Sequence, residues 1–138
     1  MLRVVQTDLR AVNMRTRMPF KYGIATLTAL PHLFVRVEVE IDGRRQWGIA
    51  ADGLPPKWFT KDPKTTFTAD LKEMMGVIRS ACELAVEAGE SGTVFDLWLS
   101  IHKAQERKMG GQTPPLLWNF GVSLIERAII DAYCSERN

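Results

Sequence analysis

Cysteine and histidine are scarce in this chain of 138 residues, with two of each. Cys82 and Cys134 make no disulfide framework, and both fall in apolar helical patterns, as expected of a reduced, cytoplasmic protein. Neither has a nearby histidine or a CxxC spacing, so nothing points to nucleophilic catalysis. His32 opens a strand. His102 and Glu106 stand four apart on a helix, but two ligands do not make a metal site, and "HKAQERK" has the composition of a solvated face. No apolar run approaches the ~20 residues that a bilayer requires, which excludes a spanning helix. The first ten residues, "MLRVVQTDLR", carry charges at positions 3, 8 and 10 and lack the apolar stretch of a secretion signal. Eighteen basic residues against sixteen acidic ones leave a net charge of +2, too balanced for a nucleic-acid partner. "KMGGQT" lacks the spacing of a phosphate-binding loop. Asp52, Asp62 and Asp70 are scattered over turns and helix starts. The residues by themselves assign no catalytic group and no metal ligand.

What is present divides into two halves. The first reads as β. Residues 2–12 have the mixed alternation of an edge strand. In "HLFVRVEVEIDG", Leu33, Val35, Val37, Val39 and Ile41 alternate with Phe34, Arg36, Glu38, Glu40 and Asp42, which is period two. The chain turns at Asp42-Gly43 and returns through Trp47, Gly48 and Ile49 as a hairpin. Three antiparallel strands with one charged face need helices over the other.

The second half reads as α. Leu71, Met74, Met75, Ile78, Cys82 and Ala85 form one helical stripe, with Gly89 as its stop. Thr93 with Asp96 three residues on is an acidic variant of a capping box, and Val94, Leu97, Trp98 and Ile101 then face inward as far as Gly110-Gly111. Thr113 is the expected cap of a third helix, with Pro114 at its first position. That helix is apolar on two sides. Leu117, Phe120, Leu124 and Ala128 make one stripe, and Val122, Ile125, Ile129, Ala132 and Tyr133 another. Glu126 and Asp131 within it require partners or a narrow wet strip.

Two long connections interrupt this plan. "NMRTRMPFKYGIATLTALP" far exceeds a hairpin loop, and Met18, Phe20, Tyr22, Ile24 and Leu27 make it too apolar for a disordered tether. "AADGLPPKWFTKDPKTT" follows the third strand, with Trp58 and Phe59 between Lys57 and Lys61. Two apolar, partly basic loops off one sheet suggest a lid over a pocket.

The order of parts, an α+β meander followed by three helices, resembles the N-terminal capping domain of the enolase superfamily, in particular its mandelate racemase/muconate lactonizing enzyme branch. The run Ser123-Leu-Ile-Glu126-Arg-Ala128-Ile-Ile-Asp131-Ala132 is similar to the small-x-x-Glu-x-Ala-x-x-Asp-Ala helix that joins cap to barrel in that family. "RMPFKYGIATLTALPHLFVRVEVEIDGRRQWG" is similar to its Pro-Phe, variable loop, strand and Trp-Gly return. Ile49 departs from the pattern, since many members carry a glutamate there.

The resemblance implies one capping domain over residues 1–138, with a β-meander at 2–51 and a helical part at 66–136. It also implies that the chemistry lies elsewhere. In the family a barrel of roughly 200 residues or more holds Mg²⁺ on three carboxylates, and its bases take the proton alpha to a substrate carboxylate. No such residue is assignable here. The chain is therefore expected to be a truncated product or fragment, inactive alone, with magnesium and a carboxylate substrate only where a barrel is present. Its expected partner is the missing barrel, or a second copy held through the terminal helix. The alternative is a free-standing binding or adaptor module that pairs with another chain. The loops Arg15–Thr28 and Ala51–Trp58 would cover the barrel mouth and exclude water. Arg15, Arg17, Lys21 and Lys57 would steer an anionic substrate, and Phe20, Tyr22 and Trp58 would wall it.

Overall fold

The strictly alternating segment becomes the spine of the sheet. In the computed structural model, which describes residues 1–23 and 25–137, β2 (Ala25–Ile41) runs antiparallel between β1 (Leu2–Tyr22) and β3 (Arg44–Gly53). Leu33, Val35, Val37, Val39 and Ile41 are all buried on one face. The β2–β3 turn carries positive φ at Asp42 (48°) and Gly43 (85°), the pair that matches the twist of a two-residue hairpin. The amino-terminal ammonium sits 2.6 Å from the Asp42 carboxylate, and this hydrogen bond, with the ammonium's charge, lowers the Asp42 pKa.

The opposite face carries a run of charges from that turn to the middle of the sheet. Arg3 pairs with Glu40 at 3.2 Å, Arg45 lies 3.7 Å from both Glu38 and Glu40, and Asp8 holds Arg10 at 3.0 Å and Arg36 at 3.6 Å. Further along, Val12, Met14 and Phe34 replace the charges.

The helices α1 (Phe67–Glu87), α2 (Val94–Met109) and α3 (Pro115–Glu136) cover the inner face. Of the α1 stripe, Met74, Ile78, Cys82 and Ala85 are buried and Leu71 and Met75 half-buried, and Gly89 (φ 73°) follows the helix end. Burial pushes the Cys82 thiol up to about 11, with the Glu83 charge adding and a hydrogen bond with Thr7 opposing. The Thr93 hydroxyl accepts from the Asp96 amide at 3.1 Å and donates to the Asp96 carboxylate at 2.7 Å, so the expected box closes on the cap side chain. Thr93→Ala is expected to lower stability by about 1 kcal/mol in urea unfolding, and Thr93→Ser to retain most of it. The third helix starts one residue later than its sequence suggests, with Pro114 as cap and Pro115 in the first turn.

The terminal helix does not present a bare face. It lies between the sheet on one side and α1 and α2 on the other, so both of its stripes pack within the chain, with Phe120 and Tyr133 half-buried at their margins. Among its described residues the exposed large apolar ones are Leu116 and Ile130. The motif around it is a packing unit. A Cβ on Gly48 would overlap the Ala128 carbonyl and the Ala132 amide, so small residues on both elements let α3 cross β3 at close range. Asp131 is exposed at that crossing, and its carboxylate accepts from the Ile49 amide on the outer edge of β3 at 2.8 Å. Arg127 joins the same edge at Asp52, 3.0 Å away. Glu126 is half-buried on the wet strip.

The second correction concerns the first long connection. Residues 13–22 and 25–31 are strand, not loop. Pairing continues through Asn13↔Pro31, Met14↔Leu30 and Arg15↔Ala29, shifts register, and resumes at Phe20↔Leu27, Lys21↔Thr26 and Tyr22↔Ala25. A two-stranded arm therefore extends beyond the helices. Pro19 and Pro31 break the periodicity that marks a strand, but prolines are tolerated where an edge or bulge leaves no amide bond to make. Ile24, counted above among the apolar residues of this stretch, lies outside the described residues.

Candidate functional site

The arm and the segment after β3 meet at one end of the domain. At the register shift the Thr16 hydroxyl donates to the carbonyls of Leu27 (3.4 Å) and Thr28 (3.2 Å), which holds the two strands together where the ladder lapses. Beyond it Phe20 and Tyr22 alternate onto one face, with ring centroids 6.1 Å apart. The Tyr22 ring stacks on Trp58 at 5.3 Å and 15°. Its desolvation there raises the phenol pKa.

Trp58 is presented by a single 3-10 turn, Pro56–Trp58. The turn is held from both sides. Leu54 is buried and its amide donates to the Pro31 carbonyl at 2.9 Å. Phe59 packs on Phe120 of α3, with centroids 5.1 Å apart. The aromatic wall closes a recess of about 260 Å³ lined by Tyr22, Gly23, Ala25, Lys57, Trp58 and Lys61.

The sequence-derived candidates divide accordingly. Phe20, Tyr22 and Trp58 form one wall, although they are far apart in the chain. Lys57 lines the recess, yet its ammonium already has internal partners. It lies 2.6 Å from the Asp70 carboxylate and donates to the Asp62 carbonyl (2.8 Å) and to the carbonyl and hydroxyl of Thr65 (both 2.9 Å). Its charge is neutralised inside the fold. The exposed cation on the rim is Lys61, which sequence reasoning noted as a neighbour but did not select. Arg15 lies in a separate recess of about 350 Å³, beside Met14, Leu30 and Phe67. Arg17 and Lys21 are exposed on the arm and line neither recess.

Two further features differ from a local reading. His102 belongs to no solvated face. Its ring packs between Trp98 and Trp118, with centroids 5.2 Å from each. Asp70, an ordinary residue for the first turn of a helix, is buried opposite Lys57. Among the described residues no group of three or more His, Cys, Asp or Glu could hold a metal ion. The described side chains offer no such set to a magnesium ion. No helix among the described residues is long and apolar enough to cross a membrane.

No protein-family model and no curated protein sequence matches the chain. Solved structures do. An enolase from the alpha proteobacterium BAL199, with bound magnesium, superposes with a TM-score of 0.67 at 16% identity, over 100% of this chain and 32% of that one. The fold is that of an enolase N-terminal domain. A Bradyrhizobium enolase complexed with magnesium and mandelic acid gives 0.57 at 17% identity, covering 96% and 31% of the two chains. A mandelate racemase/muconate lactonizing enzyme-like protein from Rubrobacter xylanophilus gives 0.53 at 16%, covering 92% and 29%. The chain thus has the enolase N-terminal-domain fold and spans about a third of the length of the structures it matches.

Proposed function

We propose that this chain is the capping, substrate-specificity domain of a mandelate racemase/muconate lactonizing enzyme-like protein. The observation that carries the reading is the Phe20–Tyr22–Trp58 wall, built where the arm and the segment after β3 converge on this fold. Such a wall offers apolar contact to the distal part of a substrate and keeps water from its reacting end. Lys61 takes the place of Lys57 as the cation at the recess, and Arg15, Arg17 and Lys21 extend positive charge along the arm. The proton abstraction alpha to a carboxylate, and the magnesium that assists it, belong to a barrel and not to these residues. The chain's partner is that barrel, within the same polypeptide or as another chain, and alone it is inactive. Its two free thiols support a cytoplasmic setting.

The test is the size and company of the native product, by immunoblot of source cells and affinity purification. A band well above 15.6 kDa, or a 15.6 kDa band that co-purifies with a barrel chain, is the expected result. A solitary 15.6 kDa product without a barrel partner would overturn the proposal.

A further inference from the structure

We propose that the Lys57–Asp70 ion pair is a latch that positions Trp58 against Tyr22 and so sets the shape of the recess. The role of that recess in substrate closure rests on the cap reading above, but the latch itself does not. Between Gly53 and Phe67 the chain has no strand and no helix beyond the 3-10 turn, so its path must be fixed by other means. Successive side chains in such a turn diverge by about 120°. Lys57 points inward and is 15% exposed, while Trp58 points outward onto Tyr22.

Four oxygens surround the Lys57 ammonium, which has three N–H donors. Three of them belong to Asp62 and Thr65, so the lysine closes the segment on itself. The fourth belongs to Asp70, which is 2% exposed and sits in the first turn of α1, so the lysine also ties the segment to the helix. A carboxylate this buried is strongly destabilising without its cation, which drives the lysine into one docked position. An apolar pair of similar size would fill the same space without specifying the turn that precedes it. The ion pair therefore contributes a unique geometry more than it contributes stability. Because Trp58 follows Lys57 directly, that geometry is transmitted to the wall.

The experiment uses the full chain labelled with 5-fluorotryptophan. Its 19F spectrum has four resonances, from Trp47, Trp58, Trp98 and Trp118, assigned by Trp→Phe substitutions. In the unmodified chain Tyr22→Leu is expected to move the Trp58 resonance. In Lys57→Met the Trp58 resonance is expected to shift toward its value in the denatured chain, with Trp98 and Trp118 unmoved. Adding Tyr22→Leu to that variant should then have no further effect on Trp58. Where Lys57→Met alone fails to fold, the pair Lys57→Met with Asp70→Leu removes the stranded charge and keeps the core filled. Trp58 is expected to stay displaced in that double variant. A Trp58 resonance that keeps its original position and its response to Tyr22→Leu, in either variant, would overturn the latch. Discovery of a solitary native product would overturn the cap reading and leave this result standing.

Discussion

Gly48→Ala is expected to lower the unfolding free energy by about 3 kcal/mol, as severe as overpacking commonly becomes. One methyl has this effect because of what it would strike. The nearest atoms are the carbonyl oxygen of Ala128 and the amide nitrogen of Ala132, both backbone, and the Ala132 Cβ lies at 2.8 Å. A flexible side chain could turn aside, whereas a helix backbone can yield only by moving α3 away from β3. That movement would also stretch the bond from the Ile49 amide to Asp131, so the edge of the sheet would loosen with it. Urea unfolding followed by circular dichroism measures the loss. Ala132→Gly in the same chain should not restore stability, because it removes a Cβ and leaves the two backbone atoms in place. A loss below about 1 kcal/mol would show that the crossing is softer than its geometry implies.

Gln105→Leu is expected to cost about 3 kcal/mol, for the opposite reason: the space is kept and the polar partner is lost. Gln105 is 0% exposed. Its side-chain oxygen accepts from the Ser80 hydroxyl at 2.9 Å, and its side-chain nitrogen donates to the Val77 carbonyl at 2.9 Å. Leucine would leave a buried hydroxyl without its acceptor and a buried carbonyl without that donor. The site lies where α1, α2 and α3 come together, since a Cβ on Gly121 of α3 would stand 2.6 Å from the same Val77 oxygen. Adding Ser80→Ala to Gln105→Leu should recover part of the loss, because one orphaned group is then removed. Equal stability of the single and double variants would mean that the hydroxyl finds another partner.

The two sites differ in how visible they are from the chain alone. Gly48 belongs to a Trp-Gly pair in a return strand and Ala128/Ala132 to a spaced helical motif, so each half of the crossing has its own local signal. Nothing local states that they touch. Gln105 looks like one more polar residue in "HKAQERK", and its burial follows only from the direction in which α2 lies across α1. The candidate site behaves similarly. Phe20, Tyr22 and Trp58 stood out as aromatic residues in connections that looked too long. Their stacking required the arm to be sheet, which Pro19, Pro31 and an interrupted alternation concealed. Lys57 was legible as a cation and illegible as half of an ion pair, because Asp70 is also a natural residue for a helix start.

What the sequence by itself determined is therefore the class of each element and the side it turns inward. Period two in residues 33–41 placed the valines on one face, the Asp42-Gly43 turn fixed the hairpin, and Thr93, Gly89 and Gly110 bounded helices. These signals are local because strand alternation, helical pitch and capping bonds involve residues within a few positions of one another. Only the tertiary structure decided that both stripes of α3 are covered within the chain, that the first connection is a paired arm, and that Lys57 faces a buried carboxylate. Each depends on which distant surfaces come within a few ångströms, and packing and Coulomb interactions act across space without leaving a spacing in the sequence.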